Sequence, residues 1–508
     1  MTWFDLSPKE TIDEQDLEKG LRMLLFDGAC TQVMGVLAGG AFLVAFALHL
    51  GASPLVIGII AALGPLTQIL QIPAILLIDR LRQRRKVVVI ASLWSRMFWF
   101  PAALLPWIAP EPLQAPLLLL CLSLYYAMGT VSGLAWTSWM QDFVPSEILG
   151  RYMGRRMAIA VGVGAAISLA AGLGVDYGKR WFDEITIYAF YLAIGGLFGL
   201  AGAVFLAKTP EPRMLETPPA DFMRLLREPF REKNFRQLLI FLGSWGFAVN
   251  LAAPFFTVYM LKRLDISMGW IIGFSVLSQL ANMASLNLWG RLADRFSNRS
   301  VLMESGPIFI LSLLIWPFTS MPDSYALTLP LLALIHVLTG ISTAGVALAS
   351  GNIALKLAPK GRSTSYLAVN GMISGLAATL SPILAGVLAT VLDGEILSMD
   401  MQWATTAGIS RWQAHALDVR GLDFLFILAF VFGLYALHRL LSVQESGSVE
   451  KGVALKAFQL EVRRAVQSVS NVAGLRVLAL FPFGKLASAN TITQPSRMDP
   501  AHSRESLP

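Results

Sequence analysis

Residues 28–78 contain no Asp, Glu, Lys or Arg, an uncharged run of 51 residues. A helix needs about 20 apolar residues to cross the hydrocarbon core of a bilayer, so this run must hold two crossings. The tetrapeptide Gly51-Ala52-Ser53-Pro54 marks the break between them, because glycine and proline punctuate helices. Further uncharged runs cover 97–110, 112–141, 157–175, 185–207, 237–261, 266–290, 305–322, 324–355, 363–392 and 424–438. The run at 97–110 extends back to Val87 across the single charge of Arg96, and the last run borrows its flanks at Asp423 and Arg439. Twelve spans result. Backbone polar groups in lipid must be satisfied within each segment, so the spans are helices and the chain is an all-α membrane protein. Composition agrees: 55% of the 508 residues are hydrophobic and only 14% charged, too little polar surface to coat soluble domains.

The connections predict orientation. The amino-terminal segment, the loops after spans 2, 4, 8 and 10, and the middle connection 208–236 carry 24 Lys and Arg residues; the intervening loops carry six. Basic loops stay on the cytoplasmic side, so both termini are expected there, in a cell (bacterial inner) membrane. The net charge of +7 then reflects loops beside anionic lipid, and no nucleic-acid partner is implied. Residues 1–20 are acidic, the wrong sign for a cleavable signal. Cys30 and Cys121 fall inside spans 1 and 4 at opposite depths, so no disulfide is expected.

The two halves repeat. Ser53-Pro-Leu-Val-Ile-Gly58 leads into span 2, which ends at Asp79-Arg80; Ser267-Met-Gly-Trp-Ile-Ile-Gly273 leads into span 8, which ends at Asp294-Arg295. Gly58 to Gly273 and Asp79 to Asp294 are both offsets of 215. Pro145…Gly150-Arg151 after span 4 is matched by Pro359…Gly361-Arg362 after span 10. The chain therefore divides into an amino-terminal segment (1–20), a six-helix bundle (21–207), a linker (208–236), a second six-helix bundle (237–441) and a tail (442–508). Two bundles on one plan suit a machine that rocks around a central site.

With these residues the chain resembles the major facilitator superfamily over roughly 21–441. That family carries Gly-x-Leu-Ala-Asp-Arg-x-Gly-Arg-Lys between helices 2 and 3, with a relic between 8 and 9. Here the second copy is the fuller one, Gly290-Arg-Leu-Ala-Asp294-Arg295-Phe-Ser-Asn-Arg299. The first, Ile75-Leu-Leu-Ile-Asp79-Arg80-Leu-Arg-Gln-Arg84-Arg85-Lys86, lacks both glycines. The resemblance implies a gating latch of Asp79, Arg80, Arg84, Asp142, Asp294 and Arg295, closing the cytoplasmic side when the cavity faces outward. In the second half the residue three before the proline is Lys356, so the charge found at Asp142 is reversed there. Lys208-Thr-Pro-Glu-Pro-Arg213 after span 6 resembles the Pro-Glu-Ser-Pro-Arg of sugar porters.

The resemblance also implies a cavity lined by spans 1, 4, 7 and 10. Counting from span ends puts Gln32 (with Gly35 and Gly39), Tyr126 (with Tyr125 and Thr130), Trp245 and Asn250, and His336 (with Thr339) near the midplane. A binding site needs a few polar groups on apolar and aromatic walls, which this set supplies; each can equally bond a neighbouring helix. Charges inside the membrane are expensive, which makes Asp27, Arg96, Glu304 and His336 functional candidates. Asp27 and His336 are the proton-coupling candidates, being the carboxylate and the imidazole. Arg96, on span 3, is expected to neutralise a neighbour or tie helices together.

No nucleotide-binding Gly-x4-Gly-Lys-Ser/Thr, His-Glu-x-x-His or Cys-x-x-Cys motif occurs, so no enzyme, metal or cofactor is implied. Residues 393–420, with Trp403, Trp412 and His415, read as a lid or an interfacial helix. In the tail, apolar residues spaced three or four apart predict an amphipathic helix over 452–473 lying on the inner leaflet. The expected function is a monomeric secondary active transporter moving a small neutral or amphipathic organic solute by alternating access, coupled to protons, with export preferred. The competing expectation is a non-transporting sensor or assembly factor acting through its tail and external loop.

Overall fold

A computed structural model describes residues 6–10, 12–214, 222–320, 324–359, 363–404 and 410–445. The tail helix expected over 452–473 lies outside them. Among the described residues, eleven helices are long and apolar enough to cross a membrane, and a twelfth crossing is made by a bent pair. In order these are span 1 (Glu14–His49), the bent span 2 (Pro54–Leu70 and Pro73–Leu81), span 3 (Arg84–Ile108), span 4 (Glu111–Phe143), span 5 (Ser146–Gly178), span 6 (Glu184–Ala207), span 7 (Lys233–Lys262), span 8 (Met268–Arg295), span 9 (Asn298–Thr319), span 10 (Thr328–Leu357), span 11 (Tyr366–Val391) and span 12 (Leu422–Leu440). The twelve helices form the two six-helix bundles.

Local chemistry sets the ends and bends. Asp13 caps span 1 by accepting the Asp16 N–H at 2.6 Å, Ser53 caps span 2 ahead of Pro54, and Ser297 caps span 9. Span 2 bends by 48° where Pro73 follows the 3-10 turn Gln68–Leu70, since proline cannot donate to the helical ladder. Span 1 breaks between Leu37 and Gly40, where Gly40 adopts a φ of +51°, and span 7 breaks between Ala252 and Phe255 at Pro254. Ala38 and Ala253, the residues ending the two inner pieces, are again 215 apart.

Packing repeats with the sequence. Spans 1 and 6, 1 and 5, 2 and 4, 3 and 4, and 3 and 6 touch in the first bundle; spans 7 and 12, 7 and 11, 8 and 10, 9 and 10, and 9 and 12 touch in the second. Lipid offers no hydrophobic force between helices, so small residues that admit close approach do this work. Span 6 shows how: Gly195, Gly199 and Gly202 face spans 1 and 3, while Phe190 and Leu197 point out. We call the end carrying the basic loops the basic face and the other the far face.

The segment 393–420 corrects the sequence expectation of an interfacial helix. Strands Ile396–Ala404 and Ser410–Arg420 pair antiparallel, from Ile396 opposite Arg420 to Trp403 opposite Trp412. The alternation Arg411, Gln413, His415, Leu417, Val419 against Trp412, Ala414, Ala416, Asp418 has a period of two, which a ribbon uses and a helix does not. Its base, at Asp393–Ile396 and Arg420–Leu422, lines a far-face cavity of about 340 Å³ with Leu48, Tyr259 and Arg263, so a covering role stays compatible with the fold.

Candidate functional site

The bundles meet through spans 2 and 11 and through spans 5 and 8. Near the far face the approach is backbone to backbone. A Cβ on Gly58 would overlap the Pro382 carbonyl oxygen, and one on Gly386 would lie 2.7 Å from the Pro54 oxygen. Beside them, Gly172 of span 5 fits against Ile272 of span 8. Asp176, near the end of span 5, accepts the Gly269 N–H at 3.0 Å and the Ser267 hydroxyl at 3.1 Å. It thereby caps the start of span 8 across the bundle boundary, where free N–H groups and the helix dipole favour an anion. The outer pieces of spans 1 and 7, Gly40–His49 and Phe255–Lys262, also touch. These contacts all lie toward the far face, where they hold the two bundles together.

Nearer the basic face, the first bundle holds a polar cavity of about 250 Å³ lined by residues of spans 1, 3, 4, 5 and 6. Its charges are Asp27, Arg96 and Arg156. Asp27 is 3% exposed and sits between the two guanidiniums, 3.3 Å from Arg156 Nη2 and 3.6 Å from Arg96 Nη2. Thr31 donates to Asp27 Oδ1 at 3.2 Å and accepts from Arg96. Arg96 also donates to the Gly199 carbonyl, and Arg156 to that of Leu24 at 3.3 Å. Glycines make the room: a Cβ on Gly202 would come within 3.1 Å of both Arg96 and Asp27, and one on Gly28 within 2.9 Å of Arg156 Nε. Arg96 thus neutralises a neighbour as the sequence suggested. A loop arginine is one of the partners open to Asp27 from the sequence, and Arg156 counts in that loop; span 5 begins at Ser146, so Arg156 in fact lies almost three turns inside it.

The other expected cavity residues do not gather here. Gln32 packs against Gly164 of span 5, and the Tyr126 ring lies 3.5 Å from where a Cβ of Gly64 in span 2 would be. Asn250 bonds its own helix at the Gly246 carbonyl, 2.7 Å away. Trp245 is a correction: it is buried inside the second bundle with its ring against Phe241 and Phe309, because Gly306 of span 9 leaves a slot there. His336 stacks on Phe274 and meets Trp316 edge-on, with Nδ1 2.8 Å from the Leu332 carbonyl. It belongs to an aromatic cluster with Phe256, Tyr259 and Phe426. Thr130 bonds Thr67 within the first bundle, and Thr339 bonds Ser312 within the second.

At the basic face the expected latch separates into two groups. Asp79, Arg80, Asp294 and Arg295 are exposed, and among the described residues no ion pair reaches Asp79, Arg80, Asp294 or Arg295; Arg295 lies over the Phe296 ring. Arg84 and Asp142 are engaged within the first bundle. Arg84 is 1% exposed, pairs with Asp142, donates to Ser138 and Pro212 carbonyls, and reaches Glu211 at 3.4 Å. Glu211 also accepts the N–H groups of Arg84 (2.7 Å) and Arg85 (3.0 Å), capping span 3. Burial pushes its carboxyl above the ordinary range, and these donors with the Arg84 guanidinium offset that only in part. In the second bundle, Glu445 accepts from Asn298 (3.0 Å), from the Arg299 N–H (2.7 Å) and from Lys356 (3.0 Å). Glu445 carried no sequence signal beyond following the last span. Cys30 and Cys121 are free thiols, and among the described residues no cluster of metal ligands occurs.

The Major Facilitator Superfamily model matches residues 28–382 and 288–483. No curated protein sequence matches. Among solved structures, the nucleoside transporter NupG superposes with a TM-score of 0.60 at 13% identity, over 84% of this chain and 98% of its own. The D-xylose-proton symporter gives 0.56 at 12%, over 85% and 98%. A bacterial homologue of the lysosomal transporter Spinster, inward-facing and unoccupied, gives 0.53 at 12%, over 90% and 98%.

Proposed function

The chain belongs to the Major Facilitator Superfamily and is a membrane transporter, and from that premise we propose that it moves a small neutral or amphipathic organic solute by alternating access, driven by protons, with export the favoured direction. The observation that carries this reading is the set of close contacts joining the bundles at the far face, against exposed Asp79, Arg80, Asp294 and Arg295 at the basic face. With the basic face cytoplasmic, this is the inward-facing form, and a latch that engages only in the outward-facing form is expected to be idle in it. The breaks in spans 1 and 7 are hinges over which the outer pieces swing.

Asp27 is the coupling carboxylate of this proposal: a proton on it releases Arg156, the more exposed of its two partners. His336, held among aromatic rings, serves packing. The solutes named for similar structures, nucleosides and D-xylose, are the first to try, and the symporter among them makes proton coupling a reasonable start. The test is purified protein in proteoliposomes with a trapped pH dye. Solute-dependent proton movement, lost in Asp27→Asn while the protein still unfolds cooperatively, is the expected result. No flux of any solute, together with loss of cellular function on removing 452–508, would favour the sensor reading instead.

A further inference from the structure

The cavity around Asp27 is more than a place to hide a charge. Two guanidiniums face one carboxylate there, and no other acid lines it, so the site carries a net charge of +1 inside the bundle. An unmatched charge at that depth is costly unless something neutralises it. The two arginines are not equivalent. Arg96 is 8% exposed in its side chain, donates to the Gly199 carbonyl and the Thr31 hydroxyl, and pairs with Asp27 at 3.6 Å. Arg156 is 23% exposed, and its contacts with Leu24 and Asp27 use Nε and Nη2, which leaves Nη1 without an acceptor among the described residues. Its guanidinium lies 4.8 Å from the centre of the Trp136 ring, which fixes its plane. The hydroxyls nearby are occupied: Ser92 with Ser132 at 2.7 Å, and Ser95 with the Tyr125 carbonyl at 2.8 Å. The rest of the wall is apolar or aromatic, with Met34, Tyr125, Trp136 and Leu206.

We infer that this cavity binds the carboxylate of an amphipathic monoacid, with Arg156 as the recognising fork, Arg96 and Asp27 holding the field, and the aromatic wall taking the apolar body. One unit of negative charge matches the site; two would leave it in excess. The planar fork of arginine fits a carboxylate, and a charge-assisted bond in this surrounding is among the stronger polar contacts available. The glycines at 28, 199 and 202 are part of the same construction, because any side chain there would press on one of the three charged groups. The inference rests on the transporter reading and narrows its solute to the acidic members of the amphipathic class.

The experiment uses the full chain in nanodiscs and reads the ligand-dependent shift of thermal unfolding with three matched probes: phenylacetate, phenylacetamide and phenylphosphonate. Phenylacetate is expected to stabilise the protein in a saturable way and the neutral amide to have no effect. Arg156→Gln should weaken phenylacetate about tenfold or more, the usual worth of a bond to a charged partner. Asp27→Asn removes the one negative charge and should turn the preference toward the more highly charged phosphonate. Should Arg156→Gln fail to fold, the preference reversal in Asp27→Asn carries the test by itself. Equal shifts from acid and amide, no phenylacetate effect in the natural sequence, or an unchanged phenylacetate affinity in Arg156→Gln would each overturn the site. Carboxylate binding without flux in proteoliposomes supports this site and removes the transporter reading; flux of a neutral solute without carboxylate binding removes this site and leaves the transporter.

Discussion

Replacing Asp176 by asparagine tests the far-face closure with little change of shape. The carboxylate accepts two bonds from span 8, from the Gly269 N–H at 3.0 Å and the Ser267 hydroxyl at 3.1 Å. A hydrogen bond to a charged group is worth about 1 kcal/mol more than a neutral one, so two such bonds lose about 2 kcal/mol. The lost attraction to the start of span 8 adds about 0.5 kcal/mol, and partial exposure to solvent takes a similar amount away. The closed form should therefore lose about 1.5 to 2 kcal/mol relative to the open one, a shift of about ten- to thirtyfold. Met268 reports on this, because it is 2% exposed in the closed form and begins span 8. In a background with Cys30 and Cys121 replaced by alanine, Met268→Cys should react with an impermeant maleimide about tenfold faster when Asp176→Asn is added. Asp183→Asn, an exposed acid at the same end, is the control for a general change of field. An unchanged labelling rate would refute the argument, since the closure would then owe nothing to the carboxylate.

Other outcomes follow from the same geometry. Gly58→Ala should speed Met268→Cys labelling too, because its methyl group has no room beside Pro382; normal labelling would mean that span 2 simply yields. Arg84→Met strands Glu211 as a buried charge and should cost about 3 to 5 kcal/mol of stability, read as a lower unfolding temperature, with Glu211→Gln recovering part of it. Gly202→Ala should lower stability through the Arg96–Asp27 pair and not through helix propensity, so Asp27→Asn in the same chain should reduce its effect in a double-mutant cycle.

The spans were legible because each is a run without charge, a property that the bilayer imposes on every segment separately. The breaks in spans 1 and 7 were not, since an apolar run continues through them; only Gly39-Gly40 and Pro254 mark them, and glycine and proline are common in membrane helices. The charged cavity was half legible. Asp27 and Arg96 stand out as charges in apolar surroundings, but Arg156 sits in a basic stretch with Arg151 and Arg155 that reads as a loop. Asp176 was hidden for a related reason: it ends an uncharged run, where an acid looks like a boundary, and its partners are 91 and 93 residues away. The hairpin was missed because tryptophans in an outer loop suggest an interfacial helix, while the alternation between them suggests strands.

The reversed charge at Lys356 also has a structural cause, which the duplicated bundles expose. Arg85 donates to the Ala207 carbonyl closing span 6, and Arg299 donates to the Leu440 and Leu441 carbonyls closing span 12, so these arginines correspond. Their N–H groups bond Glu211 and Glu445 in the same manner. One residue earlier, Arg84 corresponds to Asn298, which bonds its glutamate but brings no charge. With an acid at the Asp142 position, the second bundle would hold two carboxylates and no cation between them. Lys356 supplies that cation directly, 3.0 Å from Glu445. Lys356→Asp alone should therefore destabilise the protein, and Asn298→Arg alone should crowd Lys356 with a second positive charge. Together they rebuild the arrangement of the first bundle, so the double variant should be more stable than the two single losses add up to, by about 1 to 3 kcal/mol in a thermal-unfolding cycle. Strict additivity would mean that the two sites do not share Glu445, and the correspondence between the bundles would fail at this point.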